Sequence, residues 1–286
     1  MYKILSKIFL NPTVVKMQIE APLVAAKAKA GQFIILRTDA VGERIPLTVA
    51  GCDRSTGAVE IIFQIAGATT KALAAIDEGG YISDFVGPLG MPTELDGIKD
   101  GLIVGGGVGC AIALPVARAL KERGARVRGI IGFRSSDLVI LEDEFRAVCD
   151  ELIIVTDDGS KGIKGNVCLP LSEIIKSQDL PEQVFAIGPL VMMKFVTETL
   201  RPTGIPCTVS MNPIMIDGTG MCGGCRLTVC EEGKRRVKFA CVDGPDFDGY
   251  TVDFDEAMRR NAMYRDFERH AYEQKCNLLK EGGKNG

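Results

Sequence analysis

The stretch that decides the fold is GLIVGGGVGCAIALPVARALKERG, residues 101–124. Its apolar start, Leu102 to Val104, is typical of a buried strand in a parallel sheet. The glycine-rich turn 105–109 follows, and residues 111–124 then place apolar side chains at helical spacing and end at a glycine. This order predicts a strand–turn–helix unit at the start of a parallel α/β sheet.

Strands and helices continue to alternate after this unit. The predicted strands are 125–133, 151–159, 183–189 and 206–211, and the predicted helices are 141–149, 166–175 and 191–200. Strands that alternate with helices indicate a doubly wound parallel sheet. Ligands of such sheets bind at the carboxyl ends of the strands. We therefore expect an α/β domain over residues 99–211.

Residues 1–98 have a different pattern, which indicates an antiparallel barrel. Short stretches rich in β-branched and aromatic residues lie at 32–38, 58–65 and 81–87, and only 69–76 looks helical. The start of the chain reads as a strand and not as a signal peptide. No stretch is apolar enough for a membrane span, so we expect a cytoplasmic protein.

Composition excludes several classes of function. The chain has 286 residues, with 34 Lys and Arg against 37 Asp and Glu, and a net charge of −3. So neutral a balance indicates no nucleic-acid partner. The one histidine, His270, lies near the C-terminus, which argues against histidine-based catalysis and histidine-rich metal sites.

The glycine turn offers backbone N–H groups at the start of a helix, where a pyrophosphate can bind. It departs from the G-x-G-x-x-G pattern, because Cys110 or Ile112 stands at the last position. No acidic residue follows about twenty residues later to hold a ribose. Nucleotide binding and a plain tight turn therefore both remain open.

Two segments of the predicted barrel carry groups suited to phosphates. Arg44 opens the run Arg-Ile-Pro-Leu-Thr, and a guanidinium can hold a diphosphate through two hydrogen bonds. Pro46 would fix the strand edge, beyond which the backbone can bind a planar ring. The run from Gly67 to Thr70 offers hydroxyl and amide groups to a second phosphate, although a plain helix cap explains it equally well.

Four of the ten cysteines lie within twenty residues of one another. The spacing Asp217-x4-Cys222-x2-Cys225-x15-Cys241 follows the plant-type ferredoxin pattern, with Asp in place of the first Cys. The close pair, Cys222 and Cys225, can converge on one iron, while Cys241 returns from a predicted hairpin to the other. Cys230 fits the spacing poorly but remains open as a fourth ligand. A structural zinc site and unligated thiols are the alternatives.

Six stretches of sequence together resemble one known family, and the resemblance covers residues 1–270. The stretches are GGGVGCAIALPVARALKERG, GFRSSD, TDDGSKG, AIGPLVMMKFV, MNPIMIDGTGMCGGCR and FACVDGPDFDG. The chain resembles the electron-transfer subunits built on the ferredoxin-reductase module. Within them, the dihydroorotate dehydrogenase subunits typically have Cys at position 217 and lack most of the C-terminal helix. Asp217 and the predicted C-terminal helix therefore both favour the branch of NADH-dependent reduced ferredoxin:NADP oxidoreductase small subunits, also described as sulfide dehydrogenase β subunits.

The resemblance implies three bound groups and assigns residues to each. For FAD these are Arg44, Pro46, Leu47, Thr48, Phe63, Gln64, Gly67, Thr69 and Thr70. For NAD(H) they are Gly106, Gly107, Val108, Arg134, Asp157, Gly188 and Pro189. For a 2Fe–2S cluster they are Asp217, Cys222, Cys225 and Cys241.

The resemblance also implies an electron path from NAD(H) through FAD and the cluster to a partner, with no catalytic acid or base in this chain. The implied partner is a larger flavoprotein with FAD and 4Fe–4S clusters. The two chains would form an electron-bifurcating heterodimer, and the partner would exchange electrons with ferredoxin and NADP(H). An NAD-dependent dihydroorotate dehydrogenase subunit is the alternative enzyme. A zinc-stabilised nucleotide-binding regulator is the alternative of another class.

The predicted architecture is thus multidomain, α/β plus β. We expect an FAD-binding barrel, an NAD-binding domain, a 2Fe–2S loop and hairpin, and a C-terminal helix and tail, over 1–98, 99–211, 212–249 and 250–286. The last helix is predicted from about Asp253 to Leu279.

Overall fold

The structure of the protein, a computed structural model, describes residues 1–263. Its first half forms a seven-stranded antiparallel sheet in the order β6-β1-β2-β5-β4-β3-β7, which curves into a nearly closed barrel. The strands are β1 Tyr2–Asn11, β2 Val14–Glu20, β3 Phe33–Arg37, β4 Ile45–Asp53, β5 Ala58–Gln64, β6 Tyr81–Ile82 and β7 Asp84–Leu89, and the helices are α1 Pro22–Ala25 and α2 Ala68–Ala75.

The second half forms a parallel sheet, a separate hairpin and a final helix. Its strands are β8 Asp100–Gly106, β9 Arg126–Phe133, β10 Glu151–Thr156, β11 Ile163–Lys164, β12 Gln183–Ile187, β13 Cys207–Ser210, β14 Arg226–Glu231, β15 Lys234–Phe239 and β16 Asp246–Asp248. Its helices are α3 Cys110–Glu122, α4 Glu142–Val148, α5 Cys168–Lys176, α6 Leu190–Leu200 and α7 Phe254–Ala262. β14 and β15 pair with each other, while the other seven strands have the order β11-β10-β9-β8-β12-β13-β16.

The predicted fold class is confirmed, with a few local differences. The stretch 81–87 divides into β6 and β7, and α1 is an additional short helix. The segment 244–249 contains β16, an antiparallel edge strand on β13. The predicted C-terminal helix begins as α7. Its predicted continuation to Leu279 lies outside the described residues, and so does His270. The domain boundaries stay predictions.

Strand β3 joins the two halves because it is buried on both faces. Ile34 and Leu36 pack in the core of the barrel. Phe33 and Ile35 point the other way, into a buried cluster that also contains side chains of the parallel sheet and of the cysteine hairpin. Their alternation follows from the period of two residues in a strand. No helix in residues 1–263 is long and apolar enough to cross a membrane.

A partly buried carboxyl group, that of Asp246, connects the exit of the barrel to the edge of the parallel sheet. Thr93, just after the barrel, donates its hydroxyl to Oδ2 of Asp246 at 2.6 Å. The neighbouring backbone is tied as well, because Met91 N–H donates to the Gly244 carbonyl at 2.7 Å. Burial raises the pKa of Asp246, although hydrogen bonds from Thr93 and Ser210 oppose this shift.

The substitution Asp246→Asn tests this junction through its pH dependence. Because the pKa of Asp246 in the folded state lies above its ordinary value of 3.8, the folded state binds the proton more tightly. The contribution of Asp246 to the free energy of unfolding of the wild type therefore decreases as the pH rises through that raised pKa. The wild-type advantage over the variant in free energy of unfolding should decrease in this window, as measured by urea unfolding at several pH values. A difference that does not change with pH would contradict the assignment.

Candidate functional site

The parallel sheet reverses its strand order between β8 and β12, the place where such sheets open a ligand crevice. The glycine turn lies there, as a single 3₁₀ turn over Gly107–Gly109 that leads directly into α3. Gly107 has a φ of +55°, and nothing lies within 4 Å of the position that a Cβ would take. The turn is therefore open to an incoming group.

The two loops that flank this crevice touch through glycines. A Cβ on Gly109 would lie 2.5 Å from the carbonyl oxygen of Ile187 and 2.7 Å from Cα of Gly188. A Cβ on Gly188 would lie 3.2 Å from Cα of Gly106. Gly109 was not among the predicted site residues. It is needed because the turn after β8 packs against the backbone at the end of β12.

The other residues predicted for NAD(H) lie at the same edge of the sheet. Arg134 directly follows β9, Asp157 follows β10, and Pro189 lies between β12 and α6. Backbone hydrogen bonds hold two of these ends together, since Asp157 N–H donates to the Phe133 carbonyl at 3.0 Å. Within residues 1–263, the side chains of Arg134 and Asp157 have no hydrogen bond or salt bridge and are exposed.

The two segments predicted for FAD also meet. Arg44 directly precedes β4, and Pro46, Leu47 and Thr48 belong to that strand, where they pair with β3. The hydroxyl of Thr69, in the first turn of α2, donates to Oε2 of Glu43 at 2.5 Å. The neighbour of Arg44 thus binds the predicted phosphate loop directly.

The hydroxyl groups of this predicted phosphate loop bind other groups of the protein, although the sequence predicts that they bind a phosphate. The hydroxyl of Thr70 accepts from the N–H of Gly67 at 3.0 Å and donates to its carbonyl, so it caps the helix. The hydroxyl of Thr69 is bound to Glu43. A phosphate would therefore meet the free backbone N–H groups of the first turn of α2. Phe63 is 2% exposed inside the barrel, so its side chain has no access to a ligand, while Gln64 is exposed.

The cysteine loop contains two pairs of donor groups. Oδ2 of Asp217 accepts from Cys222 N–H at 2.7 Å, and its Oδ1 accepts from Thr219 N–H at 2.8 Å. These hydrogen bonds lower the pKa of Asp217. The Sγ atoms of Cys225 and Cys241 lie 3.1 Å apart. Sequence spacing had instead placed Cys222 with Cys225 on one iron, whereas the folded hairpin brings Cys225 to Cys241.

This donor set fits a two-iron cluster, because each iron of a 2Fe–2S group takes two protein ligands. The thiols of Cys225 and Cys241 meet directly, and the carboxylate of Asp217 is held beside the backbone of Cys222. In residues 1–263, no three His, Cys, Asp or Glu side chains surround a single metal position. Cys230 is exposed on β14, where its N–H donates to the Thr251 carbonyl, and its thiol contacts none of the four predicted ligands.

One cavity of about 710 Å³ connects these parts. Its walls include Arg44 and Pro46 of the barrel, Leu190 at the start of α6, the loop 212–216, and Arg260 of α7. The segment predicted for FAD and the loop predicted for the cluster therefore face the same space. A second cavity, of about 800 Å³, lies between β4 and α3 and is lined by none of the predicted site residues.

Known proteins that are similar to this chain include electron-transfer subunits. The sequence model described as "Iron-sulfur cluster binding domain of dihydroorotate dehydrogenase B" matches residues 212–253. A Thermotoga maritima protein, named as a homologue of the electron transfer subunit of dihydroorotate dehydrogenase B (NAD(+)), is 43% identical over 98% of this chain and 96% of its own length. The Streptococcus pneumoniae electron transfer subunit is 33% identical over 87% of this chain and 96% of its own length.

The chain belongs to the family of dihydroorotate dehydrogenase B electron-transfer subunits and their homologues. A solved chain from a study of NADH-dependent reduced ferredoxin-NADP oxidoreductase has a TM-score of 0.88 and 42% identity, and the match covers 96% of this chain and 98% of that one. The resemblance found in the sequence motifs is therefore confirmed at the level of the whole fold.

The substitution Gly109→Ala tests the contact between the two loops. Gly109 has an ordinary φ of −58°, so alanine would act by its methyl group, which meets the Ile187 carbonyl. We expect a loss of about 1–3 kcal/mol in the free energy of unfolding, as is typical of overpacking. Gly51→Ala is the matched control, because its methyl group would have ordinary contacts at 3.6 Å and beyond. Equal stability of the two variants would contradict the close contact.

Proposed function

We propose that this chain transfers electrons between NAD(H) and a larger flavoprotein partner, through FAD and a 2Fe–2S cluster that it binds itself. The assembly would be an electron-bifurcating NADH-dependent reduced ferredoxin:NADP oxidoreductase. The shared cavity carries this proposal, because the predicted flavin segment and the predicted cluster loop form two of its walls. Close relatives named as electron transfer subunits support it.

Each end of the path has residues suited to it. A flavin exchanges hydride with a nicotinamide and single electrons with an iron–sulfur centre, which is the chemistry it supplies when bound. Arg44 and the first turn of α2 would hold its phosphates, and the backbone of Pro46 to Thr48 would border its ring. The glycine turn 107–109 would hold the NAD(H) pyrophosphate, with Arg134 and Asp157 beyond it.

The proposed cluster ligands are Asp217 with Cys222 on one iron and Cys225 with Cys241 on the other. The contact between the Cys225 and Cys241 thiols supports the second pair. The hydrogen bond from the Cys222 N–H to the Asp217 carboxylate supports the first, because it keeps these two residues adjacent. Cys230 is not a proposed ligand, because β14 holds it apart from the loop.

The proposed partner is a larger flavoprotein that has 4Fe–4S clusters and an NADP(H) site. Electrons would pass to or from ferredoxin through this partner. The solved chain that covers 96% of this one favours that assignment. A dihydroorotate dehydrogenase partner is the second candidate, favoured by the family description that matches residues 212–253. The partner that copurifies with this chain distinguishes the two candidates, because only the second would oxidise dihydroorotate.

Anaerobic purification followed by addition of NADH tests the proposed function. We expect one FAD and two irons per chain, and an absorbance of the flavin that is bleached by NADH in preference to NADPH. A colourless chain that contains zinc would overturn the proposal and support the regulator alternative.

The substitution Arg44→Ala should weaken FAD binding. Loss of a charged hydrogen bond to a diphosphate costs about 1.5–3 kcal/mol, so the dissociation constant should rise roughly ten- to a hundredfold. The quantity to measure is FAD retained after gel filtration, together with its dissociation constant. Arg54→Ala is the control, since Arg54 is exposed and lines the other cavity. Full flavin content in the Arg44 variant would remove this residue from the site.

The substitution Asp217→Cys should keep the 2Fe–2S cluster and lower its reduction potential, because a thiolate donates more electron density to iron than a carboxylate. An EPR-monitored redox titration measures this shift. Cys230→Ser is the control and should leave both cluster content and potential unchanged. An unchanged potential in the Asp217 variant, or loss of the cluster in the Cys230 variant, would count against the proposed ligands.

A further inference from the structure

Helix α7 contributes a cation to the shared cavity that no sequence motif identifies. Arg260 lines the cavity together with Ala257 and Met263 of the same segment. Its side chain is partly buried, and within residues 1–263 its guanidinium has no hydrogen bond or salt bridge. A guanidinium that lines a cavity without a protein partner is available to pair with a negatively charged ligand there.

The position of this helix is well determined by its surroundings. Its N-cap residue, Asp253, accepts from Glu256 N–H at 2.9 Å and pairs with Arg235 of β15 at 3.0 Å. On the other side, Lys194 of α6 pairs with Asp255 at 2.8 Å. These contacts on two sides, together with the burial of its apolar face, direct the next turn of α7 to the cavity.

The charges around the cavity leave an excess of positive charge. Its lining contains Arg44, Arg226, Arg260 and a single acidic residue, Glu43. The carboxylate of Glu43 already accepts the Thr69 hydroxyl, and Arg226 donates to the Gly223 carbonyl at 3.1 Å. The remaining lining is mainly apolar, which strengthens the interaction of any charge with a bound ligand. Arg44 is proposed for the diphosphate, and Arg226 is exposed, so Arg260 is the partly buried cation that remains for the ring.

We propose that Arg260 sets the reduction potential of the bound flavin by stabilising the negative charge of its reduced form. This inference rests on the proposed function. Transfer of hydride from NADH to FAD gives NAD⁺ and FADH⁻, so two electrons and one proton reach the flavin and leave it with one negative charge. Arg260 favours the anionic reduced ring of FADH⁻ over the neutral oxidised ring of FAD, and charge near the flavin ring is a recognised means of tuning its potential.

The variant Arg260→Gln removes this charge, and Arg259→Gln is its matched control. Arg259 is the preceding residue of α7, is exposed, and does not line the cavity. The midpoint potential of bound FAD is measured by anaerobic spectroelectrochemical titration of the full chain, together with FAD content. We expect Arg260→Gln to favour the reduced flavin about tenfold less than the wild type does, which lowers the midpoint potential by about 30 mV for a two-electron couple. Arg259→Gln should match the wild type.

The charge-conserving variant Arg260→Lys separates charge from structure and should keep a potential near that of the wild type. A potential in Arg260→Gln equal to that of Arg259→Gln would overturn the inference. A potential in Arg260→Lys as low as that in Arg260→Gln would also overturn it, because the effect would then not follow the charge. A wild-type chain that binds no FAD would overturn both the inference and the proposed function.

Discussion

The arrangement of the whole site depends on the close packing of the cysteine loop against the end of the barrel. Gly218 lies at this contact with a φ of +75°, and a Cβ there would approach the terminal methyl carbons of Ile35 and Leu89 to 2.7 Å. Glycine lets the loop lie directly on β3 and β7. The loop 212–216 is thereby brought beside the start of β4, and one cavity is enclosed between them. The proposed order, in which FAD passes electrons to the cluster, requires the flavin segment and the cluster loop to be close to each other.

The architecture was predictable because its strongest signals are local. The alternation of buried strands with amphipathic helices such as α3, and the glycines that separate them, predicts a doubly wound sheet without any tertiary information. Strand β16 shows where this reasoning ends. Its sequence, within GPDFDG, has the composition of a turn, and it becomes a strand because the free edge of β13 accepts its backbone.

The sequence motifs predict candidate residues for the site but not the contacts among them. Spacing identified Cys222, Cys225 and Cys241, but it does not show which thiols meet, because that depends on how the β14–β15 hairpin returns. The contact of Glu43 with Thr69 joins segments 26 residues apart and belongs to no motif. Arg260 also lacks a motif, and its position at the cavity follows from the packing of α7 on β14 and α6.

Reoxidation of the fully reduced chain by NAD⁺, with and without FAD, is the most direct test of a path in which FAD lies between the nicotinamide and the cluster. The chain is reduced anaerobically with dithionite, freed of excess reductant and mixed with NAD⁺, while NADH absorbance and the EPR signal of the cluster are followed. With FAD bound, the account predicts that NADH forms and the cluster signal disappears, whereas the chain stripped of FAD keeps its signal. Loss of the signal at the same rate without FAD would contradict the account.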